Sequence, residues 1–192
     1  MRRWIGRVVL TVAVAGAFPP VLAGQGAKET GARGRVGLAA ATAPAPAAGA
    51  AAHVQPARGI LATLLGTWRF EIRFAGNYDG APDATGTRVI RTLFDDLRVE
   101  WTEAFDHSPL EGQGIVGFDP ASDRFFWNAV YSTGSAPELL TGALDDAQPT
   151  IAFRPVGGGD LAAAATLVVV DNDHLTWVAP DRAWRAVFTR QR

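Results

Sequence analysis

The clearest hydrophobic pattern in this sequence lies between Gly66 and Phe74. Large apolar residues alternate there with polar ones, in the order Trp68-Arg69-Phe70-Glu71-Ile72-Arg73-Phe74. Successive side chains of a strand point to opposite faces, so this alternation predicts a strand with one buried and one solvated face. We expect it to be the first strand of a closed antiparallel sheet.

Similar patterns continue to the end of the chain, separated by turns rich in Gly, Pro, Asp and Asn. The predicted strands after the first are 87–94, 97–105, 112–119, 124–131, 138–144, 150–154, 162–170, 174–178 and 183–189. Turns at intervals of about 8–12 residues are typical of antiparallel sandwiches and barrels. An apolar stretch at 60–65, followed by Gly66, predicts one short helix. We therefore predict an all-β, antiparallel up-and-down barrel of about 8–10 strands with a short N-terminal helix.

The residues before this domain predict export. Residues 1–23 combine three arginines, an apolar run from Val8 to Phe18 and a small-residue cleavage pattern ending at Ala23, as in secretory signal peptides. This run is shorter than the roughly 20 residues that cross a bilayer, so we expect cleavage and no remaining membrane span. Residues 24–57 are rich in Ala, Pro and Gly and predict a disordered linker in which His53 is solvated. The folded domain is then 58–192, in a periplasmic or secreted protein.

Charge and cysteine content narrow the classes of function. The chain has no cysteine, which excludes disulfides and thiolate chemistry. Residues 58–192 carry 12 Arg and no Lys against 18 Asp and Glu, a formal charge of −6. Such a domain lacks the basic surface that nucleic acids and anionic membranes attract. We expect neither of them as a partner.

One glycine motif stands in the wrong context. Gly112, Gly114 and Gly117 match G-x-G-x-x-G, but a turn precedes them and an Asp-Pro turn follows. A dinucleotide site needs a strand before these glycines and a helix after them. We interpret the glycines as relief of crowding, or as points of bending, in a curved strand.

The catalytic and metal motifs in the domain are incomplete. Its serines lie outside any G-x-S-x-G, and 171–173 resembles the start of a calcium loop without the glycine and glutamate that complete one. Four polar residues close in sequence could bind a metal or transfer protons, or simply be solvated. These residues are Glu103, Asp106, His107 and Glu111. We predict no metal site.

Two short stretches carry a resemblance to known barrels. Gly66-Thr67-Trp68 resembles the G-x-W of the lipocalin-like (calycin) barrels, which implies that Trp68 packs near the barrel floor against Arg185 or Arg190. The stretch 114–119, with 124–127 after a turn, resembles the core of a bacterial lipocalin-like family of unknown function. The resemblance covers about residues 60–192 and implies the fold more than an activity. Ala129 and Tyr131 stand where that family commonly has tryptophan and aspartate.

We predict an exported, non-catalytic binding protein whose barrel holds a small, mostly apolar ligand. Aromatic residues line the presumed inner face, and barrels of about eight strands can hold one small molecule. The alternative for these rings is that they simply fill the core. The predicted pocket residues are Trp101, Trp127, Tyr131 and Trp177, with Glu103 or Arg91 as a polar anchor.

Three other functions stay open. An enzyme could use Glu103 with His107 or His174 as acid and base. A haem protein could use His174 as its axial ligand, since neutral imidazole is common in that role. A structural or interaction protein could be presented by the linker. Apart from haem, we predict no cofactor.

Overall fold

The computed structural model describes residues 50–134, 136–145, 147–158 and 164–192. The predicted signal peptide and the linker up to residue 49 lie outside these residues. Within them, a helix precedes ten strands that form one closed sheet. The elements are α1 Ala50–Leu64, β1 Gly66–Phe74, β2 Ala84–Leu93, β3 Asp95–Phe105, β4 Glu111–Asp119, β5 Arg124–Tyr131, β6 Glu138–Leu144, β7 Thr150–Pro155, β8 Ala165–Val169, β9 His174–Val178 and β10 Trp184–Arg190.

The sheet is an up-and-down barrel. Each strand pairs antiparallel with the next one along the chain, and β1 closes the sheet against β10, with Trp68 opposite Arg190 and Phe74 opposite Trp184. Closure leaves the sheet without an unpaired edge. The predicted all-β barrel with a helix before its first strand is therefore confirmed.

Helix α1 begins earlier than the sequence pattern indicated. It starts at Ala50, inside the predicted linker, and contains Pro56. Four of its side chains are buried at the i, i+3, i+4, i+7 spacing of one helical face: Ala57, Ile60, Leu61 and Leu64. This face packs against the barrel at β3 and β4. Burial of the apolar face and the high helix propensity of its alanines outweigh the unfavourable Pro56 and Gly59.

The prediction that His53 is solvated was wrong. His53 lies in α1, and its Nδ1 is 2.6 Å from Oδ2 of Asp123 in the β4–β5 turn. On the next turns of the helix, Arg58 forms an ion pair with Asp96 beside the β2–β3 turn. Both contacts attach the helix to the same end of the barrel.

The β2–β3 turn also differs from the predicted one. Asp95 and Asp96 belong to β3, and the turn residue is Phe94, which has a positive φ of 63° and is 91% exposed. The register shifts between Thr92 and Leu93, which is where β2 stops following the alternation. Such an irregularity rotates the residues that follow it, and Phe94 consequently leaves the strand in which it was predicted.

Candidate functional site at the open end of the barrel

The two ends of the barrel are built differently, and the helix end is sealed. Trp68 is fully buried there, and its Nε1 donates to the carbonyl oxygen of Leu64 at 2.8 Å. The guanidinium of Arg190 lies 4.2 Å from the centre of the Trp68 ring and donates to the carbonyl oxygens of Leu65 and Thr63. These contacts fix α1 over the barrel, so this end is structural.

The inward-facing side chains at the opposite end, here called the open end, are only half-buried. They lie at or next to the last inward positions of β1, β3 and β5 and at the first of β10: Ile72, Phe105, Tyr131 and Trp184. Beneath the helix, inward positions such as Phe125 and Val99 are buried almost completely, whereas Leu97, Leu144 and Val169, at the margin of that end, are half-buried. Among the described residues, the side chains at the open end thus leave apolar surface within reach of solvent.

A buried ion pair lies between this open end and the deeper core. Arg88 of β2 faces Glu103 of β3 across the strand pair, and its Nε and Nη2 both donate to Glu103 Oε2, at 2.9 and 2.5 Å. Their side chains are 11% and 3% exposed. Burying two charges is costly unless they are paired with good geometry. In this barrel the charge of Arg88 is therefore compensated by Glu103 of the same protein.

Aromatic rings surround the guanidinium of Arg88. The distances from its Cζ to the ring centres are 4.6 Å for Trp101, 4.8 Å for Phe188, 5.4 Å for Trp127 and 5.9 Å for Trp177. The rings also contact each other, with Trp101 stacked on Trp127 at 4.8 Å and Trp177 edge-on to Trp127 at 4.4 Å. Such contacts stabilise both the cation and the rings. These three tryptophans therefore fill the middle of the barrel and form a floor beneath the open end.

The glycine motif of β4 seats this cluster. A Cβ on Gly114 would lie 2.0 Å from the backbone oxygen of Asn128 and 2.7 Å from Cζ2 of Trp101. A Cβ on Gly112 would lie 2.8 Å from the Tyr131 ring. Because Gly112 and Gly114 have no side chains, the rings of Tyr131 and Trp101 can lie close to β4. This agrees with the interpretation of these glycines as relief of crowding.

One buried donor in the cluster is unpaired. Trp101 is 1% exposed, and its Nε1 forms no hydrogen bond with any residue in the described part of the chain. Buried polar groups almost always have partners, and an indole N–H can only donate. Trp101 therefore offers a free donor within the cluster, beside Arg88 and 6.4 Å from the Tyr131 ring centre.

Two further ionisable groups belong to the open end. Burial, followed by the charge of Glu103, raises the pKa of the Tyr131 hydroxyl above its ordinary value, so the phenol stays protonated at neutral pH. Burial and then Glu103 likewise raise the pKa of the Glu138 carboxyl, which Arg88 partly offsets. Glu138 starts β6 on its inward face. The inward-facing groups therefore comprise two carboxylates, one guanidinium and two neutral donors.

The structure brings together five of the six predicted ligand-binding residues. Trp101, Glu103, Trp127, Tyr131 and Trp177 all face inward within the cluster. Arg91 does not, because it follows the inward-facing Ile90 and lies exposed on the outer surface. Arg88, three residues earlier in the same strand, faces inward instead and is paired with Glu103.

Sequence reasoning missed Arg88 and Glu138. The alternation of side chains along β2 could have indicated Arg88, because Gly86, Arg88 and Ile90 lie on the same face of the strand. Val89 and Ile90 are both apolar, so the sequence does not show which of them is buried and hence which face of β2 points inward. Glu138 is the first residue of β6, so no alternating residues of the strand precede it to indicate which way it faces.

Arg185, the other arginine proposed to pack on Trp68, lies instead at the open end, where it contacts Tyr78. Its guanidinium lies 5.1 Å from the ring centre of Tyr78, and its Nη2 donates to the Tyr78 carbonyl oxygen at 3.4 Å. It thereby attaches the β1–β2 loop to β10. Arg190 alone of the two contacts Trp68.

The histidines and acids proposed for chemistry do not converge. His174 is exposed at the helix end, where its Nδ1 is 2.9 Å from Asp171 Oδ1, and it points away from the barrel interior. His107 lies exposed in the β3–β4 turn, whereas Glu103 faces inward and is paired with Arg88. Asp106 is bound by Arg69 and Thr85 outside the barrel. Within the described ranges, no three histidine or acidic side chains are grouped closely enough to hold a metal ion.

Two surface clefts lie elsewhere, beside α1. One, of about 520 Å³, is lined by residues such as Ile60, Leu144 and Val169, and a second, of about 240 Å³, adjoins His53 and Asp123. Neither contains a residue of the aromatic cluster. Both are grooves where the helix packs on the barrel. None of the described residues that line them has a buried side-chain donor without a hydrogen-bond partner.

Fold and site together define a ten-stranded antiparallel β-barrel with an aromatic interior around one ion pair. Residues 53–178, from α1 to the end of β9, match the family described as "Protein of unknown function (DUF1579)". The match covers more than half of the chain, which therefore belongs to this family. No curated protein matches the chain. In the described part of the chain, no helix is both long and apolar enough to cross a membrane.

Proposed function

We propose that this chain is an exported, lipocalin-like binding protein whose open end holds a small, mostly apolar ligand. The observation that carries the proposal is the unpaired Nε1 of Trp101, buried beneath half-exposed apolar side chains. Ligand sites typically combine an apolar lining with a few well-placed polar groups. The open end has both, whereas Trp68 and Arg190 occupy the sealed end.

The packed tryptophans limit where the ligand lies. Because Trp101, Trp127 and Trp177 contact one another, the ligand rests above them rather than deep in the barrel. Its apolar body would contact the half-buried Tyr131 and Trp184, and its polar group would accept a hydrogen bond from Trp101 Nε1. Export is supported by the signal-peptide pattern of residues 1–23.

Tryptophan fluorescence is the direct test, since three of the six tryptophans form the floor of the site. The full-length protein is titrated with a panel of small ligands: medium-chain lipids, aromatic alcohols and haem. Saturable quenching or a spectral shift with a lipid or aromatic member is expected. An unchanged spectrum with every member of the panel would contradict the proposed function.

A further inference from the structure

We infer that the polar group of the ligand is a neutral hydrogen-bond acceptor, such as an alcohol or carbonyl, and that the site discriminates against carboxylates. This inference rests on the proposed function and names the chemical class that the same site selects. The inward-facing guanidinium is already paired with a carboxylate of the protein.

Among the described residues, Arg88 is the only one whose guanidinium lies within the aromatic cluster. A ligand carboxylate inside the barrel would need an inward-facing cation whose charge is not already compensated. Arg88 directs two of its five N–H groups to Glu103 Oε2, so its charge is already balanced by a carboxylate of the protein, and the rings of Trp101 and Phe188 lie within 5 Å of its Cζ. A ligand carboxylate would have to compete with an intramolecular carboxylate for a buried partner. Breaking such a pair leaves an uncompensated buried charge, which is strongly unfavourable.

Among the described inward-facing groups, Glu103 and Glu138 oppose one arginine, so ionisation of all three leaves an excess of one negative charge. An anionic ligand would add a third negative charge in a half-buried site, where like charges repel more strongly than in water. The field of the cluster therefore opposes anions.

Two uncharged donors belong to the same cluster. Trp101 Nε1 is buried and unpaired within the described residues, and the Tyr131 hydroxyl keeps its proton at neutral pH. Both groups can donate to an uncharged oxygen without any change in the ion pair. A cationic amine would satisfy the charge excess but would leave the indole N–H unpaired. A neutral acceptor is the one class that fits both the charges and the free donor.

The test uses three probes that share one alkyl chain and differ only in the head group: 1-octanol, octanoate and octylamine. Each is titrated into the full-length protein by isothermal titration calorimetry at pH 7. We expect octanol to bind at least about tenfold more tightly than octanoate, a difference of about 1.4 kcal/mol. Equal or tighter binding of octanoate or octylamine would overturn the inference and leave the proposed function standing. A lack of binding by all three would overturn the proposed function as well.

Glu138→Gln supplies a second readout, since it removes one carboxylate and keeps the size of the side chain. We expect this variant to narrow the gap between octanol and octanoate, by tightening octanoate. Glu100→Gln, exposed on the outer face of β3, is the matched control and should leave the gap unchanged. A gap that stays the same in Glu138→Gln, with an unchanged urea midpoint showing that the variant folds, would contradict the charge argument.

Discussion

At the scale of single residues, the buried pair of Arg88 and Glu103 separates what a sequence can predict from what it cannot. The alternation in β3 placed Glu103 on an otherwise apolar face, so its interruption of the core was visible in the sequence. Its partner was not, because the cross-strand register that puts Arg88 opposite Glu103 depends on the β2–β3 turn and its irregularity. Residues that break a pattern are predictable, whereas their partners depend on tertiary register.

Removing the acid should destabilise the fold. In Glu103→Gln the charge of Arg88 stays buried among aromatic rings without a counter-ion, and we expect a loss of about 3 kcal/mol in the free energy of unfolding. Urea denaturation measures this, with Glu100→Gln on the solvated face of the same strand as the control. A loss no larger than that of the control would show that the ion pair is dispensable.

Trp101 and Trp68, two of the buried tryptophans, should respond differently to replacement by phenylalanine. Trp68→Phe removes the hydrogen bond to Leu64 and should cost about 1 kcal/mol of stability, with ligand affinity unchanged. Trp101→Phe removes a donor that has no partner, so no hydrogen bond of the folded protein is lost. Octanol binding should weaken about threefold to tenfold. Calorimetry and urea denaturation of both variants give the comparison. Unchanged octanol affinity in Trp101→Phe would refute the role of its N–H.

At the scale of elements, strands were more predictable than the helix and the turns. Strands β1, β5, β6 and β9 have the predicted bounds, because two-residue periodicity and turn residues are local signals. Helix α1 starts earlier than predicted because its stability comes from burying Ala57 and Leu61 on the barrel, which composition does not reveal. Phe94 was misplaced for the same reason, since the register of the whole hairpin sets its conformation.

Two glycines should react in opposite ways to a methyl group. Gly114→Ala puts a Cβ 2.0 Å from a backbone oxygen of β5, so we expect a loss of about 2–3 kcal/mol. Gly59→Ala, in α1, meets nothing within 4 Å, and should stabilise the protein by about 0.5–1 kcal/mol through helix propensity. Urea denaturation tests both. Similar stabilities for the two variants would contradict the packing described for β4.

The contact of Asp106 with β1 and β2 should appear as a pH dependence. Hydrogen bonds from Arg69 and then Thr85 lower the pKa of Asp106 from 3.8 to about 2. A carboxyl with a lowered pKa in the folded state stabilises the protein above pH 3.8, and this contribution is lost as the pH falls towards 2. Asp106→Asn should therefore flatten the dependence of Tm on pH in this window, and Asp79→Asn, in an exposed loop, should not. A slope equal to that of the wild type would contradict the contact.

At the scale of the whole molecule, the barrel separates a structural end from a candidate binding end. The G-x-W pattern predicted the sealed end, since Gly66 has a positive φ of 122° and Trp68 and Arg190 pack as a unit. Most of the candidate site was also predicted, because aromatic residues at inward positions follow from alternation. The charge balance of the site was not predictable, because it depends on which strand brings Arg88 and Glu138 inward.

The most direct test of the open end as a binding site is a two-dimensional NMR titration of the protein with ¹⁵N-labelled tryptophan indoles. The signals of Trp101 and Trp68 are assigned through their phenylalanine variants, and 1-octanol is then added to the wild-type protein. We expect the Trp101 Nε1–H signal to shift most, as its free donor acquires an acceptor, while the Trp68 signal stays in place. No shift at Trp101, or a larger shift at Trp68, would contradict binding at the open end.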